Sequence, residues 1–283
     1  MQVVKTIKEL RDIIKVNKKL GKTIGFVPTM GALHNGHLSL VKEAKKETDF
    51  IVMSIFVNPI QFAPNEDFNK YPRPIEKDID LGAKNGVDVL FNPEANELFD
   101  NNLTFVEVTK LDKNLCGFSR PIHFKGVATI VSKLFNIVTP DKAFFGKKDI
   151  QQFIIIKKMV KDLNFDIEIV GVDIFRDTDG LALSSRNIYL TDEMRQDALI
   201  LNKSLIKGAS LITNGERDAK KIVSIITNDI EKVKNVKIDY VKIVSEEMVD
   251  VDTVRDGDIL SLAVFIGETR LIDNYIIGDK LWF

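Results

Sequence analysis

Cysteine, histidine and net charge are all scarce in this chain, and each scarcity removes a class of function. One cysteine, Cys116, stands in 283 residues. An internal disulfide framework and a multi-cysteine metal site are therefore excluded, and a reducing compartment suits the chain. Forty basic residues against forty-one acidic ones leave a net charge of −1. That balance supplies no footprint for a nucleic-acid backbone or an anionic membrane, and neither is expected as a partner. No run approaches the roughly 18 uninterrupted apolar residues of a membrane span. The opening MQVVKTIKELRDIIKVNKKLG alternates charged and apolar residues at helical spacing and lacks the continuous apolar core of a signal peptide. A cytoplasmic protein is expected. Two nucleotide fingerprints are missing as well: no G-x-G-x-x-G follows the first candidate strand, and no G-x-x-x-x-G-K-[ST] occurs.

What is present is ordinary globular material, 45% hydrophobic and 29% charged. The length exceeds the roughly 100 to 200 residues of a typical domain, so two domains are expected. Residues 1–175 alternate short apolar runs with helical patterns. Candidate strands are 23–27, 50–57, 87–91, 142–145 and 167–172, several of them continuous apolar runs, the habit of strands buried on both faces. Val127, Ile130, Val131, Leu134 and Val138 mark one face of an intervening helix. This alternation predicts an α/β fold with a Rossmann-like, doubly wound parallel sheet. In residues 176–283 the pattern changes to a smaller α+β domain. Thr191 caps a helix predicted to run to Ile212, Ala219 to Ile230 mark a second, and strands follow at 236–244, 259–266 and 269–276.

Two of only three histidines, His34 and His37, fall three residues apart in PTMGALHNGHLSL, where the first candidate strand gives way to a helix starting near Gly36 or His37. Ligands of open α/β sheets bind beyond the carboxyl ends of strands, and a helix N-terminus there offers unpaired N–H groups and a positive dipole to phosphate. Gly31, Ala32 and Gly36 let backbone approach a ligand closely. The dipole disfavours a charged imidazole, so a neutral ring donating N–H to a phosphoryl oxygen is reasonable. Two surface histidines in a turn, or a pair of metal ligands, are the other readings of this spacing; the second lacks further ligands nearby.

His34-Asn35-Gly36-His37 resembles the H-x-G-H signature of the nucleotidyltransferase superfamily, shared with class I aminoacyl-tRNA synthetases. The surrounding block is similar to the first motif of the pantothenate synthetases, the pantoate–β-alanine ligases. Four further blocks agree in order: VNPIQF at 57–62, RPIHFKGVATIVSKLFNIV at 120–138, FFGKKDIQQ at 144–152 and DGLALSSRNIYL at 179–190.

The resemblance implies ATP-dependent condensation of pantoate with β-alanine through an enzyme-bound pantoyl adenylate, releasing pyrophosphate and AMP. It assigns ATP to Met30, Gly31, Ala32, Leu33, His34, Asn35, Gly36 and His37, with His37 in the family's proton-donor role. Gly146, Lys147, Lys148 and Asp149 follow as a second ATP segment, in which Lys148 matches the phosphate-binding lysine and Asp149 the ribose contact. Leu183, Ser184, Ser185 and Arg186 match a third, and Phe175 an adenine contact. Gln61 and Gln152 match the glutamines that hold pantoate, Gln61 also bordering β-alanine, with Asn58 supporting that pocket. A neutral amide orients the carboxylate without lowering its nucleophilicity as an arginine clamp would. Arg120 and His123 line the substrate entrance or serve structure. Mg²⁺ is expected with the ATP phosphates, with Asp78 as the candidate protein contact. A homodimer is implied, and so is a C-terminal domain that closes over ATP. Arg176-Asp177 departs from the family's arginine–glutamate, which shortens one carboxylate arm. A nucleotidyltransferase acting on a phosphate ester, and a nucleotide-binding regulator without catalysis, remain alternatives.

Overall fold

A computed structural model describes residues 1–64 and 66–280. They divide into two compact units. The first holds Met1–Thr109, Arg120–Lys147 and Gln152–Ile174; the second holds Lys110–Ser119, Lys148–Gln151 and the chain from Phe175 onward.

The first unit contains β1 (Gln2–Val4), α1 (Ile7–Lys19), β2 (Ile24–Thr29), α2 (Asn35–Glu47), β3 (Phe50–Ile55), α3 (Ile75–Asn85), β4 (Val89–Phe91) and the short α4 (Ala95–Leu98). The short α5 (Leu115–Ser119) falls in the second unit. The first resumes with α6 (His123–Val138), β5 (Lys142–Gly146), most of α7 (Ile150–Asp162) and β6 (Glu168–Val172). The six strands form one parallel sheet in the order β1-β4-β3-β2-β5-β6. Alternate residues feed two cores, as the period of two demands. Phe26, Val52, Phe91 and Phe145 pack on α1, α6 and α7, whereas Val27, Met53, Leu90 and Phe144 pack on α2 and α3. This doubly wound arrangement explains the continuous apolar runs: all six residues of β3 are buried.

The second unit contains α8 (Asp192–Ala198), α9 (Ile200–Thr213), α10 (Ala219–Ile230), and β7 (Val236–Val244), β8 (Ile259–Ile266) and β9 (Thr269–Ile276) in an antiparallel sheet. Leu205, Ile222 and Ile226 from the helices meet Leu260, Leu262 and Val264 from the sheet. The helix expected over 191–212 is two helices. Thr191 does cap it, accepting the Met194 N–H, but Leu199, with ψ −15°, ends α8 and starts α9. That ψ departs from the helical value and turns the chain between two buried surfaces, Ala198 on one helix and Leu201 and Leu205 on the next.

Candidate active site

The strand order reverses at β2. The chain steps outward through β3 to β4, then returns to place β5 on the other side of β2. In open parallel sheets such a switch point leaves a crevice at the carboxyl ends of the two flanking strands. The loop after β2 carries Met30 to His34, and β5 ends at Gly146, followed by Lys147.

Gly31 (φ +83°) and Ala32 (φ +50°) turn the chain through the left-handed region. Glycine adopts it freely; alanine does so only when its surroundings hold it there. The restraint is Asp78, in the first turn of α3 and 1% exposed. One carboxylate oxygen accepts the Ala32 N–H at 2.7 Å and the other the Leu33 N–H at 2.8 Å. Burial pushes the Asp78 carboxyl up from its ordinary value, against the pull of those two N–H groups. Thr29 adds a further tie, donating to Ser54 O and accepting the Gly31 N–H.

His34 is the N-cap of α2. Its Nδ1 accepts the Gly36 N–H at 3.1 Å, and the His34 N–H in turn donates to His37 Nδ1 at 3.3 Å. An Nδ1 that accepts carries no proton, so the ring proton of each histidine lies on Nε2. Protonating either ring would remove a cap and bring a positive charge to the positive end of the helix. The two rings lie 4.1 Å apart between centroids.

Gln61, 6% exposed, is held on several sides. The Asn58 amide donates to Gln61 Oε1 at 3.0 Å and to Gly126 O at 3.1 Å, and Gln61 Nε2 reaches Met30 Sδ at 3.0 Å. α6 approaches so closely that a Cβ on Gly126 would lie 2.5 Å from Gln61 Cα. The Gln61 main chain is anchored in addition. Glu66 binds the Arg120 guanidinium at 2.8 and 2.5 Å, Arg120 reaches His123 Nε2 at 3.1 Å, and His123 Nδ1 lies 3.0 Å from Gln61 O. Arginine only donates, so His123 accepts at Nε2 and donates from Nδ1. Arg120 and His123 therefore act on Gln61 through its backbone. Glu66 escapes sequence reasoning; its partner is 54 positions away, and no local spacing announces the pair.

Gln152 lies half-buried on α7 in the first unit, and Lys147 in the same unit pairs with Asp173 at 2.8 Å. The second unit carries Lys148, Asp149, Phe175 and Leu183 to Arg186. The Lys148 ammonium is 3.7 Å from Asp149, and its side chain is largely buried. Ser184 caps the 3₁₀ turn Ser185–Tyr189 by accepting the Arg186 N–H. Phe175 is exposed. Arg176 binds Asp273 through both terminal nitrogens, at 2.7 and 2.9 Å. The shorter carboxylate of Asp177 still reaches Arg195, at 2.7 Å.

The family model described as pantoate-beta-alanine ligase matches residues 2–276. The chain belongs to the pantoate-beta-alanine ligase family. The pantothenate synthetase of Acetivibrio thermocellus is 53% identical over 279 residues, 98% of this chain and 99% of its own. That of Thermotoga neapolitana is 51% identical over 280 residues, 98% and 100% of the two chains. The crystal structure of the Thermus thermophilus pantothenate synthetase is similar at a TM-score of 0.93 and 40% identity, covering 98% of this chain and 99% of that one. A pantoate-beta-alanine ligase from Francisella tularensis, complexed with beta-gamma ATP and beta-alanine, is similar at 0.80 and 36%, covering 98% and 97%. Among the described residues there is no cluster of three or more His, Cys, Asp or Glu side chains able to hold a metal. No described helix is long and apolar enough to cross a membrane.

Proposed function

We propose that this ligase, which condenses pantoate with β-alanine using ATP, works through an enzyme-bound pantoyl adenylate. A carboxylate oxygen of pantoate attacks the α-phosphorus of ATP, the bond from that phosphorus to the bridging oxygen breaks, and pyrophosphate departs. The amine of β-alanine then attacks the acyl carbon, the bond to AMP breaks, and the nitrogen loses a proton to water as the amide forms. ATP supplies the activation, so no protein nucleophile is needed.

The observation that carries this reading is the pair of imidazoles at the start of α2, both with Nδ1 committed to a backbone N–H. Their Nε2–H groups are then fixed donors for phosphoryl oxygens whose charge grows as pyrophosphate leaves. Met30 to Gly36 contribute main chain around the nucleotide. Gln61 and Gln152 orient pantoate, and Gln61 borders β-alanine. Lys148, Ser184, Ser185 and Arg186 offset the phosphate charge, Asp149 holds the ribose, and Phe175 contacts the adenine. No cluster of three or more acidic, histidine or cysteine side chains able to hold a metal occurs among the described residues, and each oxygen of the candidate Asp78 already accepts a main-chain N–H. When bound, Mg²⁺ would be held mainly by the phosphate oxygens of ATP, where it would offset their charge. A homodimer in the cytoplasm completes the proposal; light scattering tests the first part.

The test is to mix the protein with ATP, Mg²⁺ and pantoate alone. Bound acyl adenylate and stoichiometric pyrophosphate are expected, with AMP released only on adding β-alanine. Pyrophosphate absent until β-alanine arrives would defeat the adenylate route. His37→Ala is expected to slow adenylate formation by about 10²-fold while leaving attack of β-alanine on preformed adenylate unchanged. Rapid-quench assays of the two steps check this, and a loss confined to the second step contradicts the assignment.

Asp78→Asn separates activity from stability. The amide keeps one acceptor and turns its nitrogen toward the other main-chain N–H, so the loop before His34 loses one tie. Adenylate formation should fall about tenfold, equivalent to about 1.4 kcal/mol. Stability feels two opposed effects. A carboxyl whose folded pKa lies above its unfolded one stabilises most below the unfolded value, and that increment is lost as pH rises through the folded value. The neutral amide escapes this loss, which offsets part of the cost of the main-chain N–H left without an acceptor, so the melting temperature near neutral pH should move by only a few degrees while activity falls. A lowered melting temperature with unchanged activity would refute the loop-holding role.

A further inference from the structure

We propose that Asp273 and Asn274, adjacent on β9, are positioning residues for the phosphate-facing segments of the second unit. Neighbouring residues on a strand project to opposite faces, and these two reach different segments of chain. Asn274, 3% exposed, donates its amide N–H to the main-chain carbonyl of Lys148 at 2.9 Å. Asp273, 1% exposed, takes both terminal nitrogens of Arg176, and Arg176 also donates to Gly180 O at 3.2 Å. Arg176 bridges to Ala182, and Leu183 N–H donates to Phe175 O, so this grip closes the hairpin from which Leu183 to Arg186 emerge. The two residues are themselves linked, since the Asn274 N–H donates to Asp273 Oδ1 at 2.9 Å.

A lysine carries its charge on a flexible four-carbon stem, so its aim depends on how firmly its own backbone is held. The carbonyl of Lys148 lies in a 3₁₀ turn, Lys147–Asp149. Three residues on, the Gln151 amide donates to Leu111 O and Asn114 O, both at 2.8 Å. The four-residue segment is thus pinned at both ends within the second unit, by Asn274 and by Gln151. A buried amide in a strand adds no apolar packing, and its contribution here is the orientation it imposes.

The inference rests on the adenylate reading above, and a double-mutant cycle tests it separately. Pantoate-dependent exchange of labelled pyrophosphate into ATP is measured for the wild type, Asn274→Ala, Lys148→Ala and the double variant. In the wild-type background, Asn274→Ala is expected to lower the exchange kcat about tenfold. The KM for pantoate and the attack of β-alanine on preformed adenylate should change less than about twofold. In the Lys148→Ala background the same substitution should cost less than about twofold, because the group being aimed is gone. Equal losses in both backgrounds, or no loss in either, would overturn the proposal. Circular dichroism confirms folding, and Asn274→Asp, which keeps the shape and removes the donor, carries the same cycle if the alanine variant does not fold. A wild-type protein without pantoate-dependent exchange would defeat the adenylate reading, an outcome distinct from equal losses.

Discussion

Lys148→Ala is expected to slow adenylate formation by about 10² to 10³-fold, the effect of removing one preorganised donor from developing negative charge. The charge that needs offsetting is the increment that builds on the bridging oxygen as pyrophosphate departs, and it is absent from the ground state. Most of the loss should therefore fall on kcat and little on substrate binding. The side chain suits this task, because it is four-fifths buried and its contact with the Asp149 carboxylate is 3.7 Å long. A contact of that length is too loose to neutralise the ammonium as a tight ion pair would. Calorimetric titration with pantoate should give an affinity within about twofold of wild type. An equal weakening of pantoate binding and adenylate formation would place Lys148 on the wrong substrate. Lys147 behaves differently, since its ammonium is already engaged by Asp173 at 2.8 Å.

The strands and the site differ in how far they can be read from sequence. Residues 50–55 read as a buried strand because apolar side chains facing both ways have no solvent side to alternate with, and all six are buried. The strands at 236–244, 259–266 and 269–276 are equally plain, each a long β-rich run, the last two joined by a tight turn at Gly267. β1 leaves no such trace: it is three residues long, and only Val4 is buried. The turn at Leu199 is hidden because apolar periodicity continues through it. Histidines at 34 and 37 stand out as a motif, since a helix start gathers its own ligands within a few residues. The supports are illegible for the opposite reason. Asp78 reaches back 46 positions to Ala32, and Asn274 reaches back 126 to Lys148. Only the folded sheet brings such partners together, and no periodicity records it.

Asp273→Leu should destabilise the protein by about 3 to 5 kcal/mol, the cost of leaving a buried guanidinium without its carboxylate. Both partners of the Arg176–Asp273 pair are nearly inaccessible, with side chains 7% and 1% exposed, so water cannot take over the lost role. Leucine fills a similar volume, which keeps a cavity from contributing much to the difference. The matched replacement, Arg176→Met with Asp273→Leu, removes the isolated charge and should recover stability to within about 1 kcal/mol of wild type. Urea denaturation midpoints at constant m-value measure both variants. A single variant losing less than about 1 kcal/mol would mean that the guanidinium finds water or another acceptor. The matched variant is informative beyond stability. It lacks the Arg176 bond to Gly180 O, so the hairpin leading into Leu183 to Arg186 loses a tie that no apolar pair can replace. Restored folding with adenylate formation still depressed would show that the ion pair serves the geometry of Leu183 to Arg186. Full recovery of both would reduce it to a core contact.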